Sequence, residues 1–184
     1  LSIQGLKSFM MSKLASNKVY RLLGAGAVVL SIASAFFIFF WRQNVTEVST
    51  QEGLCYFTEP EFQLRWIHSV EKQSWEEWYQ NKSTHLLLTK TYFKAFGAGT
   101  PSTEQLETKD KPGFIGYRIN RDFTQLNWVV SRLTKGELLY GGHDLLIYQW
   151  VPDYSEVVIA PKSYSVIDIL KKDYCHDYSP GRTQ

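Results

Sequence analysis

Residues 62–68 read FQLRWIH, an alternation that puts Phe62, Leu64, Trp66 and His68 on one side of an extended chain and Gln63, Arg65 and Ile67 on the other. Successive side chains of a strand point to opposite faces, so the stretch predicts a half-buried β-strand. Residues 75–80 (WEEWYQ) and 84–96 (THLLLTKTYFKAF) follow, parted by Asn81-Lys82-Ser83. Two aromatic and β-branched runs separated by three turn-forming residues predict a hairpin.

Toward the C-terminus the same reading continues. Residues 97–113 (GAGTPSTEQLETKDKPG) are small, polar and free of aromatics, and predict a long loop with too little apolar surface to order itself. Strands are predicted at 116–120, 128–133, 137–140, 145–151 and 157–160. Gly141-Gly142 marks a tight hairpin between two of them, because both positions accept positive φ. Pro161 closes the last of these strands. A short helix is predicted over Tyr164–Lys172, with Val166, Ile169 and Leu170 on one side and Lys171 and Lys172 in the last turn, where cations suit the dipole. The expected fold is mainly β: an antiparallel sandwich or barrel-like domain of seven to nine strands with a short C-terminal helix.

Toward the N-terminus the chain changes character. Residues 43–53 are polar and read as a tether, and before them the run LLGAGAVVLSIASAFFIFFW (22–41) holds no charge, Asn, Gln or Pro. At about 1.5 Å per residue a helix of that length spans the roughly 30 Å hydrocarbon core of a bilayer. Lys7, Lys13, Lys18 and Arg21 precede it, and no acid occurs before Glu47. The excess of cations predicts a cytoplasmic N-terminus. Ala33-Ser34-Ala35 resembles a signal-peptide cleavage site, but the run continues through Phe36 to Phe40 and outlasts a signal core of about 7 to 15 residues. The expected organisation is therefore a cytoplasmic segment (1–21), an uncleaved transmembrane helix (22–41), a tether (42–53) and a periplasmic β-rich domain (54–184), on a bacterial inner membrane. Small residues along the helix, Gly26 and Ser34 among them, allow close packing against a partner helix.

Beyond residue 41, sixteen Lys and Arg face eighteen Asp and Glu. The slight positive charge of the whole chain comes from its cytoplasmic flank, and the scattered cations of the outer part exclude a phosphate-binding footprint and hence nucleic acid as a partner. Cys55 and Cys175 stand near the two ends of the outer domain. In an oxidising compartment a disulfide and a pair of buried thiols both fit. Phosphate-loop, dinucleotide, nucleophile-elbow and zinc-protease motifs are missing, and His68, His85, His143 and His176 show no metal spacing, so no cofactor or metal is expected.

The densest polar grouping is His68-Ser69-Val70-Glu71 followed by Trp75-Glu76-Glu77-Trp78-Tyr79. His68 and Glu71 suit a structural corner or a partner contact better than catalysis, and Glu76 and Glu77 point to opposite faces of one strand. Phe96-Gly97-Ala98-Gly99 supplies a backbone with no bulk, open to close approach. Together with Leu54-Cys55, the blocks RWIHSVEKQSWEEWY (65–79) and LLLTKTYFKAFGAGTP (86–101) resemble the DUF1850 family over most of residues 54–160. That resemblance implies a small envelope protein working beside a TAXI-type tripartite ATP-independent periplasmic (TRAP) transporter. The expectation is a non-enzymatic accessory subunit that contacts a multi-spanning permease, its periplasmic solute-binding protein, or both. His68, Glu71, Trp75, Glu76, Gly97, Ala98 and Gly99 are its candidate contacts. The alternative is an anchored ligand-binding domain or enzyme that uses His68 and Glu71 in a pocket lined by Trp66 and Trp75.

Overall fold

A computed structural model of the chain describes residues 24–101, 103–107 and 111–177. The predicted cytoplasmic segment, together with Leu22 and Leu23, lies outside the described residues. Two compact units are present, parted at Trp41.

The first unit contributes helix α1 over residues 24–40, closed by a bond from the Trp41 amide to the Phe37 carbonyl at 2.9 Å. Every side chain of α1 is exposed. Among the described residues no helix is long and apolar enough to cross a membrane.

Among its described residues the second unit has twelve strands in two sheets. In chain order they are β1 (Arg42–Ser49), β2 (Leu54–Phe57), β3 (Glu61–Ile67), β4 (Ser74–Asn81), β5 (Leu86–Phe93), β6 (Gln105–Leu106), β7 (Ile115–Phe123), β8 (Leu126–Val129), β9 (Glu137–Tyr140), β10 (His143–Leu146), β11 (Glu156–Ser165) and β12 (Asp173–Tyr174), with one-turn helix α2 (Ile147–Trp150) after β10 and α3 (Val166–Lys171) after β11. The middle of the chain forms a seven-stranded sheet in the order β10-β9-β3-β4-β5-β7-β6. Both ends of the domain form a five-stranded sheet in the order β12-β2-β1-β11-β8. All pairings are antiparallel except β12 with β2.

The main core lies between the sheets, where the alternation read in the sequence delivers Phe62 and Leu64 from β3 against Val48, Phe57, Val157 and Ile159 from the smaller sheet. Phe57 stacks on Tyr140 with ring centroids 4.2 Å apart and meets Phe62 edge-on at 5.6 Å. Each such buried side chain contributes about 1.5–3 kcal/mol. Cys55 and Cys175 form a disulfide, which settles the alternative left open by the sequence. It closes a loop of 120 residues, worth about 4–5 kcal/mol in the chain-entropy account.

Several expectations need correction. The tether at 42–53 is β1 and its following turn, and β1 lies inside the smaller sheet between β2 and β11. The described residues already form twelve strands rather than seven to nine. Part of the 97–113 loop pairs with the edge of β7 as β6. Residues 145–151 do not continue as a strand: β10 ends at Leu146 and the chain coils so that Ile147 and Trp150, three apart, are buried together. Pro161 sits within β11, opposite Thr46. It is accommodated because β8 flanks only Glu156–Ile159, so the other edge of β11 is unpaired at Pro161 among the described residues.

The C-terminal helix begins later than predicted, at Val166, behind a capping box in which Ser165 and Asp168 satisfy each other's backbone amides. Ile169 packs on the Val45, Tyr56 and Tyr164 cluster of the smaller sheet's outer face, while Leu170, expected beside it, is 80% exposed. The Gly141-Gly142 hairpin forms as read, with φ of 53° and 83°.

Candidate functional site

Glu71 joins two segments that the sequence singled out separately. It follows β3 in the turn at 68–73, which is held by bonds from the His68 amide to the Gln73 carbonyl at 2.8 Å and from the Lys72 amide to the His68 carbonyl at 3.0 Å. One carboxylate oxygen of Glu71 accepts from the Ala98 amide at 3.0 Å; the other contacts His68 Nδ1. The Ala98 amide above all, then Glu71's own amide and only then His68, hold the Glu71 carboxyl below the usual carboxylate range, against burial, which opposes them less strongly than the Ala98 amide acts. Gly97 makes the bridge possible: a Cβ there would lie 1.9 Å from Glu71 Oε1. The His68 ring in turn stacks on Trp75, with centroids 5.3 Å apart. His68, Glu71, Trp75, Gly97 and Ala98 therefore form one corner that pins the 97–101 loop to the β3–β4 turn.

Strand β4 carries two adjacent carboxylates with different surroundings. Glu76 faces outward from the seven-stranded sheet yet is only 4% exposed, because Gln63 Nε2 donates to it at 2.7 Å and Lys111 Nζ pairs with the same oxygen. Glu77 faces inward, between Trp75 and Tyr79. Its described hydrogen-bond donor is the Tyr79 hydroxyl at 2.5 Å. Burial pushes its carboxyl above the usual range, with the Tyr79 hydroxyl and the Trp75 indole opposing.

Glu77 lines two cavities. One, of about 410 Å³, opens between the sheets and is walled by Leu64, Trp66, Tyr79, Phe123 and Trp128, with Gln125 and Asn127 as further polar groups. Trp66 meets Trp128 edge-on, centroids 5.7 Å apart at 72°, and Tyr79 meets Phe123 at 6.3 Å and 68°. The other, of about 280 Å³, lies under the 99–104 loop and is lined by Trp75, Thr91, Gly99, Pro101 and Arg121 among others. A volume above about 300 Å³ with mainly aromatic walls and few polar groups is the usual form of a small-molecule site.

These residues fall inside the stretch 62–146, which matches the family described as Domain of unknown function (DUF1850). The match takes in β3 almost from its start through β10, and so nearly the whole seven-stranded sheet and both Glu77 cavities, but stops short of the wider resemblance over 54–160 read from the sequence. No curated protein and no solved structure matches the chain.

Within that matched stretch the predicted contact residues divide. His68, Glu71, Gly97 and Ala98 come together at the corner, and Gly99 continues from it into the lining of the smaller cavity. Trp75 and Glu76 are buried, at 8% and 4% exposure, so neither offers its side chain to a partner as expected. The alternative pocket of His68 and Glu71 between Trp66 and Trp75 also needs correction: Trp66 and Trp75 line separate cavities, and the carboxylate in both is Glu77. The sequence did place Glu76 and Glu77 on opposite faces. The missed signal was that Glu77 shares its face with Trp75 and Tyr79, a carboxylate set between two aromatic residues of the core side.

Proposed function

We propose that the chain is a membrane-anchored, non-enzymatic accessory subunit of a TAXI-type TRAP transporter. Residues 22–41 cross the bacterial inner membrane with the N-terminus in the cytoplasm, and the β-domain stands in the periplasm against the permease or its solute-binding protein. The observation that carries this reading is α1. Its Phe36, Phe37, Phe39 and Phe40 are 59–67% exposed, an apolar surface suited to lipid rather than water. The Cys55–Cys175 disulfide supports an oxidising compartment, and the transporter setting follows from the family resemblance. Val70 and Phe96, 69% and 62% exposed, lie on the two segments that Glu71 joins. Together they give that corner an apolar partner surface. Gly26 and Ser34 are exposed on α1, where a partner helix can approach.

The test is purification of the tagged full-length chain from its native membrane in mild detergent, with mass spectrometry of what accompanies it. A multi-spanning permease in near-stoichiometric amount is the expected result, lost when Gly26 and Ser34 are both replaced by Ile and weakened by Val70→Glu with Phe96→Glu. Recovery of the chain alone from the membrane overturns the partnership, and recovery from the soluble fraction overturns the anchor.

A further inference from the structure

We infer that the larger Glu77 cavity is a binding site for a small organic monocation carrying an alkylated ammonium group. Glu77 is the ionisable group set among its aromatic walls, and no Lys, Arg or His lines it among the described residues. Two edge-to-face pairs, Trp66 with Trp128 and Tyr79 with Phe123, present ring faces in more than one direction around that carboxylate. Aromatic faces attract cations, most strongly where water is excluded, and such cages are the common solution for quaternary ammonium groups. A hydrophobic acid or a neutral ligand would use the walls and leave the carboxylate without a counter-charge. Gln125 and Asn127, hydrogen-bonded to each other at 2.8 Å, add polar groups for whatever the ammonium group carries.

Glu77 also sets the pH dependence. Burial favours its protonated form, so a cation entering the cavity displaces that proton to solvent and binds more tightly as pH rises. The charged and titratable groups facing Glu77 are Tyr79 on its own strand, Arg121 from β7 and Glu104 from the covering loop. Of these, Tyr79 is held protonated by burial and by Glu77 itself.

The experiment titrates the full-length chain in a neutral detergent with choline and, separately, with its uncharged isostere 3,3-dimethyl-1-butanol, following tryptophan emission and calorimetric heat. Choline should saturate the signal, with proton release seen as a heat that depends on the buffer, and the isostere should bind at least tenfold more weakly. Glu77→Gln should lower choline affinity roughly 30-fold. Trp128→Ala should lower it further, while Glu76→Gln on the other face leaves it unchanged. Glu77→Gln is isosteric at a half-buried position and therefore keeps the fold. Equal binding of the two probes, or unaltered choline affinity in Glu77→Gln, overturns the proposal. Displacement of choline by short-chain phosphatidylcholine below its micellar concentration assigns the site to a lipid headgroup, and failure to displace assigns it to a free solute. The site does not depend on the transporter partnership, so the pull-down and the titration can fail separately.

Discussion

The inner face of the seven-stranded sheet is finished differently at its two ends. Where β3 and β9 face the smaller sheet, Phe57, Phe62, Leu138 and Tyr140 fill the space between the layers and every one of them is at most 4% exposed. Where β4, β5 and β7 extend past that cover, Trp75, Phe93 and Tyr117 form a second cluster closed by the 97–104 loop, and two cavities remain around a carboxylate. The first end holds the fold and has nothing to give up. The second spends aromatic surface on walls instead of contacts, an arrangement better suited to receiving something than to stability.

The comparison breaks most visibly through Phe57. Phe57→Ala should destabilise the domain by about 3–5 kcal/mol, because the sheets cannot collapse into the space left. Chemical denaturation should show this as a large loss of midpoint at unchanged slope. A loss below about 1 kcal/mol would remove the distinction between the two ends.

A smaller effect is expected at the corner over the open end. Gly97→Ala should cost about 1 kcal/mol in the parent chain, since the added methyl displaces the Glu71 carboxylate from the Ala98 amide. In a Glu71→Ala background the same change should cost almost nothing. A double-mutant cycle reads that coupling directly, and additive losses would show that Gly97 serves its own backbone rather than the bridge.

The finest contrast is the sign of two carboxylates under pH. Glu71 is held low chiefly by the Ala98 amide, so its contribution is present above the ordinary carboxylate range and fades as pH falls through the folded value. Glu77 is held high by burial, so the folded state keeps a proton that the unfolded chain has already released. Its contribution is therefore fully present below the ordinary value and is lost as pH rises through the folded one. Glu77→Gln should stabilise the domain by about 1 kcal/mol at pH 8 and leave it unchanged near pH 4, measured as urea midpoints at the two pH values. Equal effects at both would deny that Glu77 carries charge into an apolar site.

The same contrast explains what the sequence could show. Phe62, Leu64 and Trp66 were legible because one side of β3 meets the core and the other is more open, so alternation survives in the residue types. β1 was not. In it Thr46 is fully buried on the inner side with Val48, whereas Val45 and Glu47 lie on the outer side under α3. Tyr164 and Lys172 satisfy Glu47 there. Both faces of β1 are covered, so its polar residues read as a tether. The corner was legible as two motifs but not as one contact, since nothing local says that Glu71 reaches Ala98. Glu77 was overlooked although its own strand marked it: Trp75 and Tyr79, two residues to either side, put it on the core face of β4.

The smaller sheet is assembled from the two extremities of the domain, and the larger one from the middle. As the polypeptide is made, β1 and β2 emerge early and can pair with each other, but β11, on the other side of β1, comes only after the whole larger sheet has been synthesised, and the cysteine partner of Cys55 follows 120 residues behind it. Pairings so distant along the chain close slowly. Until then β1 presents an open edge and Cys55 a free thiol. The domain is thus obliged to mature from its centre outward, and a ribosome stalled before β11 would leave the larger cavity without its β8 wall, which among the described residues only β11 pairs.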